Sequence, residues 1–495
     1  MSQSKAAISP RRAENFPSWY QEVVRQADLA AMSHVRGCMV IKPWGYGIWE
    51  LMQRELDQQI KDRGHDNVYF PLFIPLSYIE KEAEHVEGFA KEMAVVTHHR
   101  LEKRDGRLVP AAPFEEPLVV RPTSETVIGE TMAEWVQSYR DLPLKLNQWA
   151  NVVRWEMRPR VLLRTTEFLW QEGHTAHATE AEAVAETLEM HQVYESFARD
   201  WLAMPVVAGE KSPTERFPGA KRTYTIEAMM QDGKAVQAGT SHYLGQNFAR
   251  SAGIEFTDTD GARKHAYTTS WGASTRLVGA LVMTHGDDDG LCVPPAVAPH
   301  QVVIVPVLRD SSPAVLDYAN RLAEALRAQR TRFGRVRVHL DNRATRPGDK
   351  KWQWIKRGAP LLVEVGPRDA ESGTVSFRNR FEPHRQQQLP LSDFVTSVGE
   401  ELAGLQDRLL ARATDRLDEG IRRDITTRED AESHFREDGA GFALAGWCGS
   451  SGCETGLKPL GVTIRCLPSH LSADATTCLV CGTPSNHSAI WGLSY

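Results

Sequence analysis

The chain has 495 residues, which predicts about three domains at the usual domain size of roughly 100–200 residues. Its 41% hydrophobic and 25% charged residues are typical of a water-soluble globular protein, and no apolar run approaches the length of a membrane span. The formal net charge of -6 gives no diffuse attraction to nucleic acid, so any contact with RNA requires local basic patches.

The cysteines and the N-terminal segment indicate the compartment. Five of the seven cysteines fall between Cys448 and Cys481, which favours a local metal site in a reducing compartment over a disulfide framework. The first residues, MSQSKAAISPRRAENF, lack the apolar core of a secretory signal. We therefore expect a cytoplasmic protein.

The N-terminal part predicts helices with one strand between them. A helix is expected from about Phe16 to Leu29, and a short strand at Val40 and Ile41 then leads through a Pro43-Trp44-Gly45 turn into an amphipathic helix that ends at Gly64. Its apolar side is formed by Ile48, Leu51, Met52, Leu56 and Ile60. From this segment alone, the helix can be interpreted equally well as an ordinary core helix or as part of a dimer interface.

The next segment predicts a buried strand and a charged helix over residues 65–89. A strand at Leu118–Arg121 then ends in Pro122-Thr123-Ser124-Glu125, before a helix expected over residues 126–139. A hydroxyl residue before a helix is usually only an N-cap, and Thr123 fits that interpretation. The alternative is that Thr123 and Glu125 hold a substrate nitrogen at the strand end.

A strand, a loop and a second strand are predicted between Gln148 and His174, with Met157-Arg158-Pro159-Arg160 as the loop and Leu162–Gln171 as the second arm. Arg154 can bind a phosphate in a bidentate manner, and Glu156 can accept from an exocyclic amine. Arg164 can reach a further phosphate, and Phe168 offers a ring on which a base can stack. A salt-bridged surface hairpin would explain Arg-x-Glu alone, but not the whole arrangement.

Beyond this hairpin, a long helix begins with a capping box from Thr179 to Glu182. Two strands follow, KRTYTIEAMM and AVQAGTSHYLG, and the second carries the polar residues Gln237, Thr240 and His242. A single histidine in a strand is more often structural than functional.

An arginine is predicted in the first turn of the next helix, where the positive end of the helix dipole disfavours it. The segment is Gly272-Ala273-Ser274-Thr275-Arg276, and the helix continues through Met283. An anionic ligand at that helix end would explain Arg276.

From Pro299, strands separated by helical segments predict an α/β layer structure with a parallel component. Between Arg346 and Arg357 there are five basic residues, one acid and two tryptophans. This composition is typical of contact with single-stranded RNA, although a solvated basic helix explains it as well.

The C-terminal part predicts a helix from about Ser392 and then two close cysteine pairs, Cys448 with Cys453 and Cys478 with Cys481. This spacing fits a closed, structural, tetrahedral zinc site, and the reducing compartment argues against disulfides. Cys466 has no close partner and is expected to be free.

These elements resemble motifs 1, 2 and 3 of the class II aminoacyl-tRNA synthetases. Thr123-Ser124-Glu125, FLWQEGHTAH, AGTSH and the C-terminal module resemble the prolyl-tRNA synthetases of the archaeal and eukaryotic type. The stretch between His174 and Thr268 is too short for the editing insertion of the bacterial type.

The resemblance implies an α/β protein in three parts. We expect a class II catalytic domain over residues 1–298, with an α+β antiparallel sheet and flanking helices. An α/β anticodon-binding domain over residues 299–405 and a small zinc-containing C-terminal α/β domain over residues 406–495 follow.

It also implies the residues of the site. Arg154 and Arg276 are expected to be catalytic. The expected proline-binding residues are Thr123, Glu125, Arg154, Trp170, Glu172, Phe217, His242 and Ser270. The expected ATP-binding residues are Arg154, Glu156, Arg164, Thr165, Phe168, Gln237, Thr240, Ser274 and Arg276. The zinc ligands are expected to be Cys448, Cys453, Cys478 and Cys481, and the anticodon contacts Lys350, Lys351, Trp352, Glu364 and Arg368.

One departure and one further feature accompany this resemblance. The family's Arg-Arg-Asp is replaced by Arg378-Asn379-Arg380, and the C-terminal Tyr495 matches a tyrosine thought to point toward the active site.

The implied activity is the charging of tRNA(Pro) by a homodimer with L-proline and ATP–Mg²⁺. Cysteine or alanine is expected to be activated by mistake, because a small apolar pocket discriminates by only about 1–3 kcal/mol per methylene. Two alternatives are a class II synthetase for threonine or serine, and a catalytically silent RNA-binding paralogue. Retention of Arg154, Arg164 and Arg276 argues against the second.

Overall fold

The structure is a computed structural model that describes residues 6–81, 92–307, 313–437, 439–474 and 476–495. The α-helices of these residues are α1 Phe16–Gln26, α2 Pro43–Lys61, α3 Leu76–Lys81, α4 Glu125–Trp135, α5 Glu180–Asp200, α6 Asn247–Ala252, α7 Arg276–His285, α8 Pro313–Arg327, α9 Pro347–Arg357, α10 Pro367–Ser372, α11 Leu391–Gly420, α12 Arg428–His434 and α13 Ser451–Glu454. None of the helices in the described ranges has the length and apolar character required to cross a membrane.

The β-strands up to residue 298 are β1 Ala30–Met32, β2 Met39–Ile41, β3 Asp66–Asn67, β4 Phe73–Pro75, β5 Ala94–Arg104, β6 Arg107–Val120, β7 Leu144–Val153, β8 Glu167–His177, β9 Val207–Glu210, β10 Arg222–Met229, β11 Ala235–Gly245, β12 Glu255–Thr257, β13 Arg263–His265 and β14 Tyr267–Ser274. The later strands are β15 Val302–Pro306, β16 Arg330–Thr331, β17 Gly334–Arg335, β18 Val338–Leu340, β19 Leu361–Val365, β20 Thr374–Asn379, β21 Gln387–Pro390, β22 Ile421–Arg422, β23 Phe442–Trp447, β24 Thr463–Pro468 and β25 His487–Gly492.

An 11-stranded sheet forms the centre of the fold, in the order β22-β23-β25-β24-β9-β10-β11-β14-β8-β7-β3. From β7 to β25 its neighbouring strands are antiparallel, and helix α5 packs on β10, β11 and β14. The strands of the C-terminal module join this sheet where Leu467 of β24 lies opposite Glu210 of β9. The strands of the C-terminal module are therefore part of the 11-stranded sheet, to which backbone hydrogen bonds join them.

A separate 5-stranded sheet follows, in the order β18-β15-β19-β20-β21. β15 is parallel to both β18 and β19, while β20 and β21 are antiparallel, which confirms the predicted α/β layer with a parallel component. Its core is formed mainly by the buried faces of α8, α11 and the central strands.

The amphipathic helix predicted after Ile41 is confirmed. Its five predicted apolar residues, Ile48, Leu51, Met52, Leu56 and Ile60, are all buried. The helix begins at Pro43 itself, because proline at the first helical position has no N–H to leave unpaired.

The second arm of the central hairpin begins later than predicted. β8 starts at Glu167, and the preceding residues form a compact loop in which Arg160 and Arg164 are joined by backbone hydrogen bonds. Leu162, with φ 63°, has a left-handed backbone, which interrupts a regular strand. Arg164 therefore lies in a loop, and the prediction that it belongs to a strand arm was wrong.

Other element boundaries also differ from the predictions. The N-cap position of helix α4 is Ser124, not Thr123, and its side chain makes no capping hydrogen bond; the helix ends at Trp135, before a turn that Ser138 caps. Of the charged helix expected up to residue 89, only α3 lies within the described residues. The long β5–β6 hairpin was not predicted, because its exposed residues show no regular alternation.

Candidate active site

Three adjacent strands build the floor of the site. In the sheet register Ser270 of β14 lies opposite His174 of β8 on one side and His242 of β11 on the other. Two positions along, Gly272 separates Glu172 from Thr240 in the same way. Because residues two apart share a face of a strand, these side chains form two rows on one face of the sheet.

A β-bulge adds Gln237 to this face. Ile226 lies opposite Gly239 and Glu227 opposite Gln237, so Ala238 is the extra residue in β11. The extra residue shifts the alternation by one, which brings Gln237 to the side of Thr240 and His242.

Gly173 is required behind the floor. A Cβ at this position would lie 2.0 Å from a ring carbon of Trp271, its partner on β14. The Trp271 ring is buried and meets His65 edge-on, with 5.0 Å between ring centroids. Any larger residue at position 173 would displace this packing and with it the strand that carries Ser270.

Two cavities lie side by side above this floor. The first, of about 230 Å³, is lined by every residue expected to bind proline, namely Thr123, Glu125, Arg154, Trp170, Glu172, Phe217, His242 and Ser270. The second, of about 190 Å³, is lined by Glu156, Arg164 and Thr165 among the residues expected to bind ATP. Arg154, Phe168, Ser274 and Arg276 line both cavities, while Gln237 and Thr240 belong to the first.

Arg154 follows β7 directly and lies where the cavities meet. Its Nε donates to the Pro122 carbonyl at 2.9 Å, and its guanidinium carbon is 5.7 Å from the Phe168 ring centroid and 5.4 Å from that of Trp170. Burial lowers the pKa of Arg154, although nearby carboxylates oppose this effect, Glu125 most strongly. Held between two rings and a carbonyl, the guanidinium has a fixed orientation before substrate arrives.

Arg276 is the first residue of α7, as predicted. Its Nε donates to the Leu163 carbonyl at 3.1 Å, and the N-cap residue Thr275 makes no side-chain capping bond. Burial lowers the pKa of Arg276, and Arg154 and Arg164 lower it further. Three arginines therefore repel one another around the second cavity, and a polyanion would relieve that repulsion.

Glu172 is held by several polar groups at the base of the first cavity. Ser124 Oγ and Gln148 Nε2 donate to its Oε1 at 2.5 and 2.8 Å, and His174 Nε2 lies 3.0 Å from its Oε2. Burial by itself would raise the pKa of Glu172, but His174 lowers it. Burial likewise opposes protonation of His174, but Glu172 raises its pKa above the ordinary value.

His242 behaves differently from His174, although it lies in the same row. Burial lowers the pKa of His242 to about 3, with a contribution from His174, so its ring is neutral at physiological pH. Phe217 packs against His242 at 4.7 Å between ring centroids, and Thr223 Oγ1 lies 3.0 Å from its Nδ1. The first cavity thus contains both an apolar wall and a charged base.

Some polar atoms of the first cavity are buried without a partner within the described part of the protein. They include Trp170 Nε1 and Ser270 Oγ. Buried polar groups in native proteins are nearly always hydrogen bonded, so an unpaired donor in a cavity wall is a candidate for contact with a ligand.

Glu156 and Arg164 pair with each other in the second cavity. Their Oε2 and Nε atoms are 2.5 Å apart, and the other Glu156 oxygen accepts from the Arg158 amide at 2.8 Å. The Arg164 side chain is 58% exposed, so it can turn away from Glu156 and leave the Glu156 carboxylate free to accept another donor in the cavity.

The side chains of Lys211 and His174 line the first cavity but were not predicted as site residues. His174 has a signal in the sequence, since it follows Trp170 and Glu172 at spacing two. No signal in the sequence identifies Lys211, because its segment is joined to the site only by sheet pairing.

The four cysteines of the C-terminal module form a cluster that could hold a metal ion. The sulfur atoms of Cys448, Cys453, Cys478 and Cys481 all lie within 4.8 Å of one another. Tetrahedral zinc at about 2.3 Å from each thiolate requires sulfur atoms about 3.8 Å apart, so the donor set fits this geometry. Cys466 is buried and outside the cluster, as expected.

The residues expected to contact the anticodon are placed unequally. Lys350 is buried, and its ammonium donates to the Asp341 carbonyl at 2.9 Å. Glu364 accepts from Arg378 at 2.5 Å and lies 3.8 Å from Lys351. Trp352 is half-buried against the core and Arg368 is exposed. Lys350 thus belongs to the interior of its domain.

Tyr495 lies alongside β11, where its amide donates to the Ala235 carbonyl at 3.2 Å. Its hydroxyl donates to Asp232 at 2.6 Å, and its ring is 5.5 Å from the guanidinium carbon of Arg160. Arg160 belongs to the same loop as Arg164, so the C-terminus reaches the edge of the site.

Three family models match the chain. The tRNA synthetase class II core domain (G, H, P, S and T) matches residues 111–285, the anticodon binding domain matches 301–401, and the C-terminal domain of prolyl-tRNA synthetase matches 429–495.

Similar proteins match over nearly the whole length. A proline–tRNA ligase of Protochlamydia amoebophila is 55% identical, and one of Paramagnetospirillum magneticum is 53% identical, each with 99% of both chains covered. Crystal structures of a prolyl-tRNA synthetase from Cryptosporidium parvum superpose with a TM-score of 0.89, covering 100% of this chain and 98% of theirs. The complex with halofuginone and AMPPNP is 36% identical, and that with L-proline and AMP is 35% identical.

Proposed function

Because this chain belongs to the proline–tRNA ligases, a class II aminoacyl-tRNA synthetase family, we propose that its two adjoining cavities are the proline and ATP halves of one active site. The enzyme activates L-proline with ATP and transfers the prolyl group to tRNA. The observation that carries the assignment of residues is that Arg154 and Arg276 line both cavities. The fold and the relatives favour proline over threonine or serine, and over a silent paralogue.

In the first step, a carboxylate oxygen of proline attacks the α-phosphorus of ATP and pyrophosphate leaves. The protein supplies no nucleophile, so its task is to hold two anions together and to stabilise the charge that builds on the phosphorus. Arg154 binds the carboxylate and the α-phosphate, and Arg276 binds the far phosphates from the start of α7. In the second step, a hydroxyl at the 3′ end of the tRNA attacks the prolyl carbonyl and AMP leaves.

The proline half uses the carboxylates of the first cavity. Thr123 donates to Glu125, and we assign these two residues to the ring nitrogen of proline. The apolar ring lies between Trp170, Phe217 and His242, and Glu172 and Ser270 complete the base.

The ATP half uses the second cavity. Phe168 stacks on adenine and Glu156 accepts from its amine, after Arg164 turns from Glu156 to a phosphate. Gln237, Thr240, Ser274 and Thr165 hold the ribose and phosphates. Mg²⁺ enters with ATP, and the phosphates supply its main ligands.

Zinc is the metal that the cysteine cluster fits best. Cys448, Cys453, Cys478 and Cys481 supply four sulfur ligands and close the site, so the metal would stabilise the C-terminal module without taking part in the reaction.

The remaining proposals concern partners and location. We assign tRNA(Pro) binding to the anticodon-binding region, with Lys351, Trp352, Glu364 and Arg368 at the surface and Lys350 as their support.

A homodimer is supported by the exposed apolar residues Met32, Val35, Val40 and Tyr46, which lie on β1, β2, α2 and the loop between the strands. The free thiols favour the cytoplasm. Domain boundaries near residues 298 and 405 complete the proposal.

Amino-acid-dependent ATP–pyrophosphate exchange without tRNA tests this assignment. Proline is expected to give the strongest signal of the twenty amino acids, and Arg154→Ala should abolish most of it. A stronger signal with another amino acid would discard the proline pocket, and no signal from folded protein would discard the reaction.

A further inference from the structure

A buried ionic cluster joins the C-terminal module to the catalytic core. Glu227 of β10 is 0% exposed, Lys211 just after β9 is 2% exposed, and Arg465 of β24 is 7% exposed. The Lys211 ammonium lies 2.7 Å from Glu227 Oε1, and Arg465 Nη2 and Nε lie 3.1 and 3.2 Å from Glu227 Oε2. Two cations from different parts of the chain thus share one carboxylate.

The cluster is part of the wall of the active site. Lys211 lines the first cavity, and Glu227 lies opposite Gln237 at the β-bulge. Thr225, which donates to Glu227 Oε1 at 2.8 Å, lies opposite Thr240. The carboxylate therefore holds the stretch of β10 whose neighbours on β11 are the two residues assigned to ATP.

The charge of the cluster does not balance. Lys211 and Arg465 contribute two positive charges against one negative charge. Burial would raise the pKa of Glu227, but Lys211 and Arg465 lower it, so the carboxylate is ionised. The pKa of Arg276, which burial, Arg154 and Arg164 lower, is raised by Glu227 and, to a smaller extent, lowered by Arg465. The cluster is therefore close enough to Arg276 to act on the cavity that Arg276 lines.

Attachment of the module alone does not explain such a cluster. Replacing a buried ion pair with well-packed apolar residues is often neutral or stabilising, so an apolar contact would attach the module equally well. A carboxylate held between two cations beside the cavity has a use in catalysis, since it fixes the neighbouring strands before the substrate arrives.

We propose that Arg465 is a positioning residue for ATP, through which the C-terminal module controls the active site by way of Glu227 and Lys211. Arg465 fixes the Glu227 carboxylate, and Glu227 fixes the segment of β10 that pairs with Gln237 and Thr240 of the bulged strand β11. The proposal rests on the assignment of the ATP half above.

The test compares Arg465→Met and Arg465→Lys with the wild-type enzyme. We expect Arg465→Met to raise the KM for ATP in proline-dependent pyrophosphate exchange about tenfold, as for the loss of one interaction in a charge network. The KM for proline should change less than twofold, and Arg465→Lys should restore most of the loss because it keeps the charge. Arg422→Met, in an exposed pair with Asp424 of the same module, is the matched control and should change neither constant.

The outcomes separate positioning from attachment. A lower melting temperature with both KM values unchanged, or equal changes in both, would overturn the proposal. If Arg465→Met does not fold, Lys211→Met gives the same test from the catalytic core. A failure of Lys211→Met to raise the KM for ATP would also overturn it. Equilibrium binding of ATP to each variant keeps the result distinct from the proposed function, because a wild-type enzyme without proline-dependent exchange would still show the effect on ATP.

Discussion

Positive side chains are arranged differently in the active site and in helix α9 of the anticodon-binding region. In the active site, Arg154, Arg164 and Arg276 crowd around one cavity, where they repel one another. In α9, the Lys350 ammonium is bonded to the Asp341 carbonyl, and Trp354 Nε1 donates to the Asp341 carboxylate at 2.8 Å. An anionic ligand would complete the first arrangement, while the second is already satisfied by the protein.

The difference indicates where a basic residue acts on a ligand and where it stabilises the fold. Removing a cation from the crowded cavity should affect the reaction and spare stability. Removing a buried cation that is satisfied by the protein away from the cavities, such as Lys350, should affect stability and spare the reaction.

The largest expected effect is that of Arg154→Ala. Loss of the group that binds both carboxylate and α-phosphate should lower the rate of proline-dependent pyrophosphate exchange by about 10²–10³, by analogy with removal of an oxyanion donor. The melting temperature should stay close to that of the wild type. Arg158→Ala, an exposed arginine of the same loop, serves as the control and should leave exchange without tRNA unchanged. A loss of less than about tenfold for Arg154→Ala would contradict the assignment.

Lys350→Met should show the opposite pattern. Its removal leaves the Asp341 carbonyl without its donor, and we expect the free energy of unfolding to fall by about 1–3 kcal/mol in denaturant titration. Pyrophosphate exchange should not change. The neighbouring Lys351→Met, with a side chain 27% exposed, should keep its stability and raise the KM for tRNA by about threefold in aminoacylation. If Lys350→Met is as stable as the wild type and binds tRNA more weakly, the proposed contrast between the active site and helix α9 is wrong.

A change of pH is expected to have a smaller effect, which acts on kcat/KM for proline. Glu172 raises the pKa of His174, so the charged pair is complete below the unfolded value of about 6.5 and is lost as the pH rises through the folded pKa. We expect kcat/KM for proline to fall about fivefold across that alkaline transition, since Glu172 loses a charge-assisted partner.

The matched variant is His174→Gln, in which this transition should be absent. His242, with a pKa lowered to about 3, should contribute no transition between about pH 5 and 9. An unchanged alkaline limb in His174→Gln would assign it to another group.

The smallest effect is the discrimination between proline and cysteine. A small apolar pocket offers about 1–3 kcal/mol per methylene, so purified enzyme should show cysteine-dependent exchange that is weaker than with proline but measurable. Arg154→Ala should remove both signals, because both amino acids use the same carboxylate site. A complete absence of cysteine-dependent exchange would show that the pocket excludes it by more than size.

Local features of the fold were largely predictable from sequence. The apolar face of α2, the capping box of α5 and the position of Arg276 at the start of α7 depend on side-chain spacing along one element. The boundaries at Leu162 and Ser138 were not predictable. A left-handed residue in one case and a capped turn in the other override an apolar or helical pattern.

The sequence by itself determined which residues of the site share an element, because alternation along a strand places Trp170 and Glu172 on one face. Only the tertiary structure decided which residues meet across elements. Ser270 lies between His174 and His242 because of the sheet register, and Arg465 meets Glu227 because β24 pairs with β9. Register and strand order depend on the whole core and its turns, so no local pattern contains them.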